Sequence, residues 1–276
     1  MSPGVRGNNC KPRPRLVARR ALAHVPGMCF WLTIAAGLFL SLGARANAVD
    51  ELIGIHTAVM GGAERITAHA AIKATGMVTM SGKRVHFTMV AAWPNRVRLE
   101  TEGGGRSLVQ AYDGVEPPWE FDTGTWPPKY RRVADGPARR IVADAEFDGP
   151  PIAGAARGYT LDYAGEAEAE GRKYRRLLVT HKLVQSFALY LDPETCLIQF
   201  RSESHTSAGG RPVNILTRYS QFQSVDGVLL PQAVTTLVDG KVTQEMVIDR
   251  IEPNLLLRPD TFSMPKGITV PQPAAK

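Results

Sequence analysis

Apolar and polar residues alternate with a period of two over much of this chain from residue 72 onward. Residues 72–80 place apolar side chains at every second position, Ser81-Gly82-Lys83 has turn chemistry, and residues 85–93 alternate again. Successive side chains of a strand point to opposite faces of a sheet, so this pattern predicts a hairpin with one large apolar face.

The same alternation recurs at intervals of about ten residues, separated by turns rich in Asp, Asn, Pro and Gly. Further strands are predicted at 96–100, 107–112, 119–122, 159–163, 175–181, 186–191, 196–204, 213–222, 228–238 and 242–251. Short connections between about eleven strands predict a mainly β fold, a single large curled antiparallel sheet or half-open β-barrel. No linker-like or low-complexity tract interrupts it, so one domain is expected.

Two segments have helical periodicity instead. Residues 49–70 carry apolar side chains on one helical face, with a break at Gly61-Gly62, and therefore predict either one helix or two short ones. Residues 138–147 show the second helical stripe, between the predicted strands. A helix at this position is able to act as a lid on the sheet.

The net charge of +7 originates in the N-terminal segment. Residues 1–48 hold seven basic side chains and no Asp or Glu, so 26 basic residues face 26 acidic ones in the remainder. The balanced charge of the remainder gives no obvious reason to expect nucleic acid or an anionic surface as a partner.

This segment also has the order of a secretory signal peptide: a basic stretch, an apolar run over 28–42, and small-residue cleavage patterns ending at Ala46 and Ala48. The apolar run is shorter than the roughly 20 residues of a membrane-spanning helix. We expect residues 1–48 to be removed on export near Ala46 or Ala48, leaving a domain at 49–270 and a short tail at 271–276; an uncleaved signal anchor is the alternative.

Cys196 is the one cysteine that remains after such cleavage, so no internal disulfide is expected. In this context Cys196 fits a small buried apolar residue.

Motifs for catalysis or cofactor binding are missing from the sequence. The histidines outside the leader have no second histidine or cysteine at a metal-ligand spacing, and no nucleophile elbow, phosphate loop or dinucleotide fingerprint is found. The alternating Glu166, Glu168 and Glu170 before Gly171 fit a solvated hairpin tip. We therefore expect a protein that is not an enzyme and that uses no metal and no cofactor.

Large apolar side chains are the feature that remains. A curled sheet of this many strands encloses either a packed core or a ligand cavity. Taken singly, each large apolar residue also fits an ordinary core, and their combination with a lid-like helix favours the cavity. The candidates for lining it are Phe87, Met89, Trp93, Leu99, Trp119, Phe121, Leu189, Ile215 and Met246.

Three local patterns resemble the outer-membrane lipoprotein carrier family, the LolA-like proteins. They are Trp93-Pro94-Asn95-Arg96-Val97-Arg98-Leu99, then Asp113-Gly114 followed by Trp119-Glu120-Phe121-Asp122, and finally Phe262-Ser263-Met264-Pro265-Lys266-Gly267-Ile268-Thr269-Val270. Their order is similar to that of the family, with a leading helix and an antiparallel meander. The resemblance implies a half-open β-barrel with helices covering its mouth, and an apolar cavity for acyl chains in the periplasm, without a cofactor.

These observations lead to the hypothesis of a periplasmic carrier that shelters lipid or lipoprotein acyl chains and makes transient contact with a membrane. A first alternative is an envelope sensor or interaction scaffold that carries no lipid and binds an envelope protein partner on its convex face or on an exposed sheet edge. The aromatic, proline-rich stretch 119–130 is the place to look for such a surface. A second alternative is an enzyme on the same fold, which would need a polar cluster inside the cavity.

Overall fold

The computed structural model describes residues 48–146, 149, 151–152, 154, 157–181, 186–207 and 209–265, without the side chains of residues 135, 136 and 143. The expected signal peptide, apart from Ala48, lies outside the described residues. So do the expected tail and the last residues of the closing pattern, 266–270.

Three helices are described. Helical residues 48–59 belong to α1, and α2 spans Ala63–Ala68. The expected break lies between them, where Gly61 and Gly62 both have positive φ, so the two-helix alternative is the one found. α3 spans Asp135–Asp144 and begins three residues earlier than expected, since a proline is tolerated in the first turn of a helix. Within the described ranges, no helix has the length and apolar character of a membrane span.

Thirteen strands follow in chain order. They are β1 Ala71–Met80, β2 Lys83–Ala92, β3 Arg96–Gly103, β4 Arg106–Tyr112, β5 Trp119–Asp122, β6 Lys129–Arg132, β7 Tyr159–Ala169, β8 Arg172–His181, β9 Phe187–Leu191, β10 Ile198–Thr206, β11 Pro212–Val225, β12 Val228–Val238 and β13 Lys241–Pro253.

All of them form one antiparallel sheet in the order β6-β5-β4-β3-β2-β1-β13-β12-β11-β10-β9-β8-β7. The order begins at β6 and ends at β7, so the sheet is not closed into a barrel. The predicted fold class is confirmed. The strand β6 was not expected, because three of its four residues, Lys129, Arg131 and Arg132, are basic and give no apolar alternation.

The two faces of the sheet can be followed through its register, because residues paired directly across antiparallel strands share a face. We call the face that carries Ile72, Val97 and Leu177 the inner face. Ile72 and Val97 pack against Ile141 of α3, and Leu177 lies in a cluster with Leu52 of α1. Both helices therefore cover the same face, at opposite arms of the sheet.

The sheet is strongly curled. α3 packs on β1 to β3, and Glu146, just after it, interacts with the Tyr159 side chain of β7. Neighbouring strands lie about 4.8 Å apart, so β3 and β7 would be about 43 Å apart in a flat sheet. A ten-residue helix is only about 15 Å long. The end of α3 therefore bridges two arms that curl toward each other.

The C-terminal segment covers part of the outer face. Phe262 is buried beside Ala71 and Ala92, and its carbonyl oxygen accepts a 2.9 Å hydrogen bond from the Trp119 indole. The described part of the closing pattern thus packs on the convex side of the sheet.

The structure corrects the expectation of a lone cysteine. Cys196 is buried and disulfide-bonded. The expectation counted only the cysteines left after cleavage, whereas the full sequence has two more, Cys10 and Cys29.

Gly76 marks a point where the backbone of a neighbouring strand comes very close. It lies at an irregularity of the β1–β13 register, and a Cβ here would meet the Val247 carbonyl oxygen and the Phe87 ring. We expect Gly76→Ala to lower the free energy of unfolding by about 1–3 kcal/mol. Gly54→Ala, in open space on α1, is the control and should not destabilise the fold. Urea unfolding measures both, and equal stability of the two variants would contradict the close approach.

Candidate functional site

An apolar surface extends along the inner face of β13, β1, β2 and β3. We call it the apolar floor. Phe87, Val78 and Ala74 are its buried centre. Partly buried side chains surround this centre: Val85, Met89, Leu99, Met246, Ile248 and Ile251.

The floor is covered by a helix over only part of its length. Met89 and Ile251 pack both on the floor and on the cluster that contains Ile141 of α3 and Ala145, which directly follows the helix. Toward the β1–β2 turn, the described side chains of the floor all belong to strands. This half of the floor is therefore an apolar surface that no described helix packs on.

The register brings most of the sequence candidates to the inner face. Phe87, Met89, Leu99 and Met246 lie together in the floor. Leu189 is buried in the cluster beneath α1, and Ile215 is partly exposed on β11.

Three candidates lie elsewhere. Trp119 and Phe121 are on the outer face, in a cluster with Tyr130 and Met264. Trp93 is in the β2–β3 turn and 53% exposed. Trp119 pairs with Ala111, and Ala111 faces outward because the next residue, Tyr112, faces inward. The register between β4 and β5 therefore places Trp119 on the outer face. This register could not be read from the sequence, because a six-residue loop joins the two strands.

A charged cluster on the inner face was missed by the sequence analysis. Arg201 of β10 lies 3.3 Å from Glu203, and its guanidinium is 4.2 Å from the centre of the Phe187 ring. Tyr219 of β11 interacts with Arg201, and Asp144 at the end of α3 lies within electrostatic range of both. One feature of the sequence did indicate this cluster: the charged Arg201 occupies an inner-facing position of the predicted strand 196–204.

Enclosure changes the titration of this cluster. Burial raises the pKa of Tyr219. The Nε atom of Arg201 is buried without a hydrogen-bond partner. The cluster links the end of α3 to β10 and β11 by charge, across the open side of the curled sheet.

The cluster consists of Arg140, Asp144, Arg201, Glu203 and Tyr219 and includes neither a histidine nor a cysteine. Among the residues with described positions, no group of three or more His, Cys, Asp or Glu side chains is arranged to hold a metal ion. The charged cluster nevertheless makes part of the inner face polar. An enzyme on this fold would need such a polar cluster, so the enzyme alternative is not excluded.

A small cavity lies between α1, α2 and the sheet. Its volume is about 40 Å³, and it is lined in part by His56, His69 and Val228. Ligand pockets commonly measure about 300–1,000 Å³, so this cavity does not accommodate a lipid.

His56 faces this cavity and contributes a pH dependence to stability. Its Nδ1 lies 2.8 Å from the Cys196 carbonyl oxygen, and burial lowers its pKa below the ordinary value. The unfolded chain then binds a proton more readily than the folded one, so stability rises with pH through the range below about 6.5 and is lost on acidification. We expect thermal unfolding of His56→Gln to show a smaller acid loss, whereas His86→Gln, at an exposed position, should retain the wild-type slope. Parallel slopes in all three proteins would contradict this assignment.

The fold and site together define a mainly β protein with an open, curled sheet, helices on its inner face and an apolar floor on which the described helices pack over one half. This is the half-open architecture expected from the LolA-like resemblance. No protein-family model matches the chain, and no curated protein matches it.

Solved structures do match. A DUF1329 family protein from Desulfovibrio piger aligns with a TM-score of 0.52 at 11% identity, covering 78% of this chain and 96% of that one. A LolA superfamily protein from Nitrosomonas europaea, NE2245, aligns with a TM-score of 0.46 at 14% identity, covering 72% and 94%. The Pseudomonas aeruginosa MucA/MucB complex gives a TM-score of 0.20 at 14% identity, covering 74% and 99%. Of these three, the first exceeds 0.5, so the fold-level comparison rests on it.

Proposed function

We propose that this protein is an exported, periplasmic carrier that holds lipid or lipoprotein acyl chains against the apolar floor. The observation that carries the proposal is the half of the floor on which no described helix packs, where Met246 and Val85 remain partly exposed on the concave side of the sheet. A concave apolar surface of this kind matches a flexible hydrocarbon chain, and two methionines adapt it to varied shapes.

Burial alone supplies useful affinity. Each buried methylene contributes about 0.8 kcal/mol, so ten methylenes on the floor would contribute roughly 8 kcal/mol before the cost of ordering the chain. No covalent step is required, which agrees with the lack of catalytic motifs in the sequence.

Access to the rest of the floor depends on α3. Its apolar residues cover Ile72, Ala91 and Val97, and its end interacts with the far arm through Asp144 and Glu146. A longer acyl chain would displace α3 from the floor, and the charged cluster would favour its return. The helix thus acts as the gate of the site.

Native mass spectrometry of the gently purified exported protein, followed by organic extraction, tests this proposal. The expected result is an adduct whose mass matches a lipid recovered in the extract. Repeated failure to find lipid would contradict carriage and would favour the alternative, an envelope sensor or scaffold that uses the same fold without cargo.

A further inference from the structure

One end of the sheet differs in character from the other. Because the strands are antiparallel, the turns at 81–82, 104–105, 123–128 and 239–240 lie at the same end, and so does the turn that joins β10 to β11. We call these turns and the residues next to them the hairpin rim. The turns at 93–95, 113–118, 170–171, 192–197 and 226–227 lie at the opposite end.

The rim displays one large aromatic side chain. Trp126 is 92% exposed, in the β5–β6 turn, and is followed by two prolines. The turn is well defined: Gly124 N donates to Asp122 Oδ1 at 2.7 Å, and the Thr125 hydroxyl donates to the Asp122 carbonyl at 3.1 Å. The local structure therefore holds the indole out in solvent, where it contributes nothing to the core.

Basic residues repeat along the rim at a regular structural position. Four strands that return from a rim turn begin with an exposed lysine or arginine, namely Lys83 in β2, Arg106 in β4, Lys129 in β6 and Lys241 in β13, whereas β11 begins with Pro212. Arg84 and Arg211 add to them. The nearby carboxylates are Glu102, Asp122, Asp239 and Glu245, of which Asp122 and Asp239 are ion-paired with Arg106 and Arg211.

The opposite end has the reverse bias in its turns. They contain no lysine or arginine and carry Asp113, Glu116, Glu170, Asp192, Glu194 and Asp226. Strands β3 and β8 begin there with Arg96 and Arg172, so the end as a whole has mixed charge. The opposite end also has an exposed tryptophan, Trp93 at 53% against 92% for Trp126, so the rim is distinguished by its more exposed tryptophan and by the larger number of strands that begin with a basic residue.

The apolar floor leads to this rim. α3 covers the half of the floor near Ile72 and Ala91, whereas Val78 and Val85 lie close to the β1–β2 turn. Met80 continues the inner face to that turn and is 37% exposed. An acyl chain entering over the rim would therefore reach the floor without crossing the helices.

We propose that the hairpin rim docks on the surface of an anionic phospholipid bilayer. Tryptophan prefers the headgroup level of a bilayer because its ring is apolar and its N–H is polar. Lysine and arginine side chains are attracted to the negative surface potential of anionic lipids. Docking in this orientation would bring the uncovered floor to the membrane, which is where the proposed cargo originates; the docking itself does not require the floor to carry cargo.

Sedimentation with vesicles tests the docking. The exported protein is mixed with vesicles of phosphatidylglycerol and phosphatidylcholine, or of phosphatidylcholine alone. We expect binding to the anionic vesicles, weakened in about 0.5 M salt, where screening is strong. Lys83→Gln/Lys129→Gln/Lys241→Gln should bind about a hundredfold more weakly, since one basic residue near an anionic surface contributes roughly fivefold.

Trp126→Ser should weaken binding to anionic vesicles by about tenfold or more. Trp93→Ser is the matched control, because Trp93 is also exposed but lies at the opposite end, and it should bind as the wild type does. In Trp93→Phe, addition of anionic vesicles should shift tryptophan emission to shorter wavelength, and this shift should disappear when Trp126 is also replaced by phenylalanine.

Equal binding to neutral and anionic vesicles, or unchanged binding of Trp126→Ser, would overturn the docking. The result is separable from the proposed carriage, because native mass spectrometry of Trp126→Ser reports retained lipid independently of vesicle binding. A variant that keeps its lipid but no longer sediments with vesicles would support both proposals.

Discussion

Leu177→Ala is expected to lower the free energy of unfolding by about 2–5 kcal/mol. Leu177 is fully buried on the inner face of β8, in the cluster that joins α1 to β7, β8 and β9. Alanine would leave a cavity at a site surrounded by other strands and a helix, where the structure has little freedom to collapse. Urea unfolding followed by circular dichroism measures the effect as a lower midpoint with an unchanged slope.

The adjacent residue provides the control. Leu178 points to the outer face and is 40% exposed, so Leu178→Ala should cost less than about 1 kcal/mol. The two substitutions remove the same atoms from neighbouring positions. Similar losses in both variants would contradict the assignment of inner and outer faces in this arm.

The second large effect is expected on cargo. Met246→Asp places a carboxylate in the apolar floor, where a bound acyl chain would leave it desolvated and without a partner. We expect the amount of lipid recovered by extraction to fall about tenfold or more, the equivalent of at least roughly 1.4 kcal/mol in binding. Mass spectrometry of the extract, normalised to folded protein, measures it.

Val247→Asp is the matched control for this experiment. Val247 is 45% exposed and pairs with Ala233 and Met77 on the outer face, so its substitution should leave bound lipid unchanged. Met246→Gln, which adds no charge, should show a smaller loss than Met246→Asp. Equal lipid in Met246→Asp and Val247→Asp would show that the floor does not contact cargo.

Local pattern was enough to predict most of the sheet. Period-two alternation identified the hairpin of β1 and β2 and the later long strands, because one face of each is buried and the pattern records which residues face it. The strand β6 was not predicted, because its pairing with β5 depends on main-chain hydrogen bonds and on ion pairs such as the one between Arg131 and Glu120, at 2.6 Å. Such a strand has no apolar signature.

The site was predictable only in part, for a reason of geometry. Phe87, Met89, Leu99 and Met246 meet because alternation along each strand is preserved across short hairpins. Trp119 follows a loop of six residues, and the alternation of β4 does not predict which side chains of β5 face inward after such a loop. The charged cluster joins Asp144 to Arg201 and Tyr219, whose proximity arises only when the sheet curls.

Site-specific photo-crosslinking tests the central claim most directly. A photoreactive phenylalanine analogue is placed at position 99, on the floor, or at position 98, on the outer face, where the Arg98 guanidinium lies over the Trp119 ring. After irradiation in cells, the carrier account predicts a covalent lipid adduct on the chain labelled at position 99 and none on the chain labelled at position 98. Adducts of equal yield at both positions, or at neither, would contradict it.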